Sequence, residues 1–275
     1  MKKILIFPPI LLFSIIVGKP NQWNYHSAHI ILEKRLEIGL FQPLRYGLKE
    51  DLEFSIYPTW FFVVPNISFK KSHQKMMGFK IGSRFSTVYP TPLLNLLSKK
   101  GIGGLIDPNI TMPPMLGISA TMLMSKNLLG TMTTLKGGVD IGLVMGKLDT
   151  RSNIDLPIIY HRLEIFYNKW GIHTGIDVTK NISERFKVLV DLDLRLLPEI
   201  DQRKADKSYQ MHSGNYSIEH KFLLIYNMSS LFRVITGYKL VAGEFPYGKE
   251  VRLLPYIPVL EKWIPIIELQ WSIQL

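Results

Sequence analysis

A chain of 275 residues with no cysteine can hold neither a disulfide framework nor a cysteine-linked lipid anchor. Its formal net charge of +11 invites a nucleic-acid reading, but Lys and Arg are spread evenly and form no nucleic-acid-binding motif. No nucleic-acid partner is expected, and a basic surface beside anionic headgroups is the simpler account. A mean hydropathy of +0.11 suits alternating strands better than a bundle of membrane helices.

Met1-Lys2-Lys3 is followed by apolar residues from Ile4 to Val17, then by polar Lys19-Pro20-Asn21. A basic start, a short apolar core and the small residue Gly18 predict a signal peptide over residues 1–18. Pro8-Pro9 opposes a lasting membrane helix there, since an interior proline costs about 3 kcal/mol. Loss of Lys2 and Lys3 leaves a charge of about +9. No later run reaches the roughly 18–20 apolar residues of a transmembrane helix.

Residues 19–275 read as one domain made of strands. Strands are predicted near 26–33, 36–47, 51–57, 65–71, 77–88, 114–125, 130–145, 170–179, 185–197, 215–227, 230–242 and 264–275. Phe186, Val188, Val190, Leu192, Leu194 and Leu196 fall on one face of their strand, with Lys187, Asp191, Asp193 and Arg195 on the other. Arg233, Gly237 and Lys239 oppose Phe232, Val234, Tyr238 and Leu240, and Leu52, Phe54 and Ile56 oppose Glu53 and Ser55. The last strand alternates Ile267, Leu269, Trp271 and Ile273 with Glu268, Gln270 and Ser272. A recurrent polar turn joins the strands within Tyr46–Phe54, Thr179–Phe186 and Tyr226–Phe232, with a looser copy at Ser125–Gly130. Longer loops are expected at Tyr89–Pro113, with a short helix at Leu93–Leu97, and at Pro198–Gly214 and Gly243–Pro265.

An all-β, antiparallel up-and-down transmembrane β-barrel of about 12 strands follows, with about 10–14 allowed because Ile158–Tyr167 could also pair. A soluble sandwich or barrel with its charged face in water would show the same alternation. In a membrane barrel the charges must face inward, since Lys or Arg in mid-bilayer costs about 2–4 kcal/mol. The expected lumen-lining set is Glu53, Lys80, Arg84, Asp140, His173, Asp177, Lys187, Asp191, Asp193, Arg195, Glu219, Lys221, Arg233, Lys239 and Glu268. Such mixed charges either pair and fill the interior or line a pore.

No catalytic residue, metal ligand or cofactor is assigned. His173 and Asp177 share the inward face and suggest an orienting pair without a nucleophile. Asp191 and Asp193 alone are too few ligands for a divalent cation. His220 falls on the lipid face near Ser213 and Ser217, the pairing an outer-membrane lipid hydrolase needs, but no third group is evident. Lys99–Gly104 lacks the Lys-Ser/Thr ending of a phosphate loop.

With its alternating terminal strand and recurrent turns, the chain resembles a bacterial outer-membrane β-barrel of an uncharacterised family. Glu37–Leu48 followed by Glu53 is similar to a segment common in barrels of this size. The resemblance implies the bacterial outer membrane as location, outer-membrane lipid and lipopolysaccharide as surroundings, and delivery by the barrel-assembly machinery through the C-terminal strand. Such strands usually end in Phe or Trp; this one ends in Leu275, with Trp271 four residues earlier. The function expected first is a passive channel or uptake porin for small solutes. The alternatives are a closed barrel with a structural or surface-binding role, or a lipid-modifying enzyme using His220.

Overall fold

The computed structural model describes residues 23, 26–99, 108–149, 165–166, 169–197, 216–243 and 263–275. Twelve strands close into one antiparallel barrel, each bonded to its neighbours in sequence and the last to the first. They are β1 Arg35–Gly39, β2 Leu44–Lys49, β3 Leu52–Ile56, β4 Asn66–Met76, β5 Phe79–Val88, β6 Met115–Leu128, β7 Thr131–Val144, β8 Trp170–Asn181, β9 Phe186–Leu196, β10 Tyr216–Asn227, β11 Phe232–Gly243 and β12 Trp263–Gln274. Among the described residues, α1 Pro58–Phe61 and α2 Thr91–Leu97 are short helices in the connections after β3 and β5. Closure pairs Arg35 with Gln274 through to Gly39 with Gln270, and Leu275 N–H donates to the Lys34 carbonyl at 2.8 Å.

One rim carries the tight turns and the β1–β12 closure; the other carries the long connections. At the tight-turn rim, Met77-Gly78 and Leu129-Gly130 each hold two successive left-handed residues, the backbone that matches the twist of a two-residue hairpin. The alternation follows the expected parity. On β9 Leu189 and Asp191 are buried while Phe186, Leu192 and Leu196 are exposed; on β12 Glu268, Gln270 and Ser272 are buried while Ile267 and Trp271 are exposed. The outer wall is therefore apolar and the inner wall largely polar. None of the described helices is long and apolar enough to cross a membrane.

Two expected strands are placed differently. Residues 36–47 form two strands, β1 and β2, joined by a tight connection. Pro43 has no N–H to give a ladder, and the N–H groups of Leu40, Phe41 and Gln42 converge instead on the Glu268 carboxylate at 2.5, 2.6 and 3.2 Å. Residues 26–33 form no strand. They run inside the barrel at the tight-turn rim, with Ala28 and Ile31 fully buried. There Ala28 N–H donates to Ser125 Oγ at 2.8 Å, Ile31 N–H to Glu53 Oε2 at 3.0 Å, and Lys70 Nζ to the Ser27 carbonyl at 3.2 Å. Gly47 makes room for this segment, since a Cβ there would lie 2.0 Å from the Leu32 carbonyl oxygen.

At the opposite rim α2, which contains the expected helix at 93–97, folds onto an apolar cluster of Leu94, Ile110, Met112, Met115, Ile165 and Phe166. Thr91 Oγ1 donates to the Pro113 carbonyl and accepts from Met115 N–H, which ties the helix to the start of β6. Ile165 and Phe166 are helical rather than extended, so this part of 158–167 adds no strand. The signal peptide expected over 1–18, the loop 198–214 and most of the loop 243–265 lie outside the described residues.

Candidate functional site in the barrel interior

Three groups of charged side chains crowd the inner wall. The first joins β1 to β4. Arg45 reaches Glu37 and Glu53, both at 2.7 Å, Arg35 meets Glu37 at 3.2 Å, and Lys70 meets Glu53 at 3.2 Å. Arg45, Glu53 and Lys70 are each 2% exposed, so these ions exchange water almost wholly for one another.

The second joins β7 to β10. Lys136 Nζ sits among Asp191 at 2.6 Å, Asp193 at 2.8 Å and Asp177 at 3.3 Å, and Lys221 adds a contact to Asp191 at 2.9 Å. His26 from the inner segment approaches Asp177 at 3.8 Å. Ligand atoms of His26, Asp177 and Asp191 lie within 4.8 Å of one another. Two ammonium groups already occupy the space and neutralise the charge that a divalent cation would need.

The third spans β6 to β9. His173 Nδ1 bonds Asp140 Oδ2 at 3.0 Å, its Nε2 bonds Thr121 Oγ1 at 3.0 Å, and Arg195 meets the same Asp140 oxygen at 3.3 Å. The order hydroxyl, imidazole, carboxylate is that of a nucleophilic relay. Here Asp140 is 2% and Thr121 9% exposed, and Asp140 is shared with an arginine. The relay is packed into the wall rather than presented to a substrate.

Of the other expected lumen residues, Lys239 and Glu219 pair at 2.9 Å, while Lys80 and Arg84 are half-buried on the inward-facing positions of β5. Glu268 holds the β1–β2 connection. Arg233 donates to Gln270 Oε1 at 2.5 Å and lies 4.0 Å over the Trp23 ring, and Lys187 is half-buried. The suggested His173–Asp177 pair does not form. Four residues along a strand span about 13 Å, and each group finds its partner on another element, Asp140 for His173 and Lys136 for Asp177. Ser217 and His220 cannot meet either: Ser217 is buried on the inner wall, whereas His220 makes a tilted ring contact with Tyr238 on the outer wall. Ser213 lies outside the described residues.

Sequence reasoning missed Arg45, Lys70, Lys136, Trp23 and His26. Arg45 shares odd parity with Glu37 and Glu53 and was open to detection. Lys70 is masked by its neighbour Lys71, and Lys136 lies in a Thr- and Gly-rich stretch with few apolar markers. Nothing local marks Trp23 and His26, which precede the first strand.

Between the inner segment and β7–β11 remains a cavity of about 180 Å3. Trp23, Leu189, Ile225 and Ile235 line it, together with Lys187 and Arg233 at the turn-proximal ends of β9 and β11 and Asn127, Gly130 and Asn181 beside the tight turns. The fold and interior together define a closed twelve-stranded antiparallel barrel whose inner wall is cross-linked by buried ion pairs. No family model matches the sequence, and no curated protein matches it.

Proposed function

We propose that this chain is a bacterial outer-membrane β-barrel that is closed at rest and acts by binding at its surfaces rather than by passive permeation. The observation that carries this reading is the filling of the interior: the segment before β1 enters one rim with Ser27, Ala28 and Ile31 buried, α2 and its apolar cluster lie at the other, and most of the charges between them pair with one another. A diffusion pore needs those charges turned toward water along an open path. Pairing them across strands instead favours the closed alternative over the passive channel that the sequence suggests first.

The membrane setting is supported by the wall. Ile67, Phe85, Val139, Leu143, Ile172, Leu192, Leu224 and Ile267 are exposed on the outside of a closed barrel, an apolar surface that water would not stabilise. In this orientation the tight turns and the start of β1 face the periplasm, the long connections face outward toward lipopolysaccharide, and β12 is the strand offered to the assembly machinery. The outer-wall His220 has no inward Ser217 to activate, which removes the support for lipid hydrolysis by that pair.

The test is density separation of membranes from expressing cells, followed by swelling of liposomes carrying the purified, folded protein. The expected result is recovery with the outer membrane and no swelling in monosaccharide. Porin-like swelling would overturn the closed reading, and recovery in the soluble fraction would overturn the membrane one.

A further inference from the structure

We infer that the cavity behind the inner segment is a binding site for a compact organic anion, a carboxylate carried on an apolar body about the size of one ring. Two cations line it, Lys187 from β9 and Arg233 from β11, and neither makes an ion pair among the described residues. Arg233 is 6% exposed and is held by a neutral partner, Gln270, and by the face of Trp23. Elsewhere on the inner wall Arg45, Lys70, Lys136, Lys221 and Lys239 each meet a carboxylate. Among the described lining residues the one acid, Asp177, is already engaged by Lys136 and approached by His26. Neither cation has a carboxylate in ion-pair contact among the described residues, and Glu37 and Glu268 act on Arg233 only from beyond that distance, so the two like charges repel each other and leave a place for a negative group.

The rest of the lining says what that group is attached to. Leu189, Leu223, Ile225 and Ile235 form a buried apolar cluster beside Lys187. A hydrated inorganic anion would gain nothing from this wall, whereas an apolar body would bury surface against it. The volume of about 180 Å3 sets the size. An apolar cavity of about 150 Å3 is enough to hold benzene, so a ring with a carboxylate fits and a long acyl chain does not. Asn127, Gly130 and Asn181 place the mouth at the tight-turn rim, reached without passing through the barrel.

The site needs only the folded barrel, so its test is independent of whether the lumen conducts. The full chain, folded in a non-ionic detergent, is titrated calorimetrically with benzoate, benzyl alcohol, benzylamine and dodecanoate. Benzoate binds; the alcohol binds about tenfold or more weakly, because it lacks the charge-assisted bond; the amine does not bind, and dodecanoate does not compete with benzoate. Lys187→Met weakens benzoate by about tenfold or more while leaving the alcohol unchanged, and Lys187→Arg keeps most of the affinity. Heat-modifiable gel mobility shows that each variant is folded. No benzoate binding to the parent, equal binding of the acid, alcohol and amine, tighter binding of dodecanoate, or unchanged benzoate affinity in folded Lys187→Met would each overturn the proposal.

Discussion

Arg45 shows at the scale of one residue how the interior is held. Its guanidinium bridges Glu37 on β1 and Glu53 on β3, and Glu53 in turn accepts from Lys70 and from the backbone of Ile31. Removing the arginine leaves two buried carboxylates short of their partner, a change that typically costs about 3–5 kcal/mol. Arg45→Met should therefore lower the urea midpoint of the detergent-folded protein, and replacing Glu37 and Glu53 by Gln in the same chain should recover part of the loss. An unchanged midpoint for Arg45→Met would show that the pairs are not coupled to folding. The inward direction of Glu53, Asp191 and Glu268 was legible, because a period of two assigns faces directly. Their partners were not. Which cation meets which acid depends on strand register and on closure, so Asp140 and His173, separated by 33 positions, meet, while His173 and Asp177 on one strand do not.

The element that most changes the molecule's character is the segment before β1. Its apolar residues Ile30, Ile31 and Leu32 look like part of a strand, yet Ile31 turns into the interior while Leu32 stays exposed, and Glu53, Lys70 and Ser125 satisfy the segment's backbone. A pattern of apolar residues reports burial, not what buries them, so this placement could not be read locally. The split of 36–47 was partly legible: Pro43 marks a break in the ladder, but the carboxylate that closes the connection comes from Glu268 on the last strand. The same reasoning makes Gly47 a point of leverage. A side chain there would overlap the Leu32 carbonyl, so Gly47→Val should displace the segment while leaving the strands paired. Limited proteolysis should then cut between residues 26 and 34 faster than in the parent, with unchanged heat-modifiable mobility. Equal cleavage would mean that the segment is not held against Gly47.

At the scale of the whole molecule, one closed sheet separates an apolar outer wall from an ion-paired inner one. The strand count of twelve was legible from the alternation, although it was reached by counting one strand too many before β1 and one too few between 36 and 47. Whether such a barrel conducts is decided by its interior, where segment 26–34 and the paired charges meet. The most direct measurement is single-channel conductance of the intact, folded protein in a planar bilayer, compared with Gly47→Val. Closed at rest, the parent should insert without stable ohmic steps, and steps should appear or become more frequent once the segment is displaced. Stable steps from the parent, with a reversal potential set by the inward charges, would contradict the account and restore the passive channel.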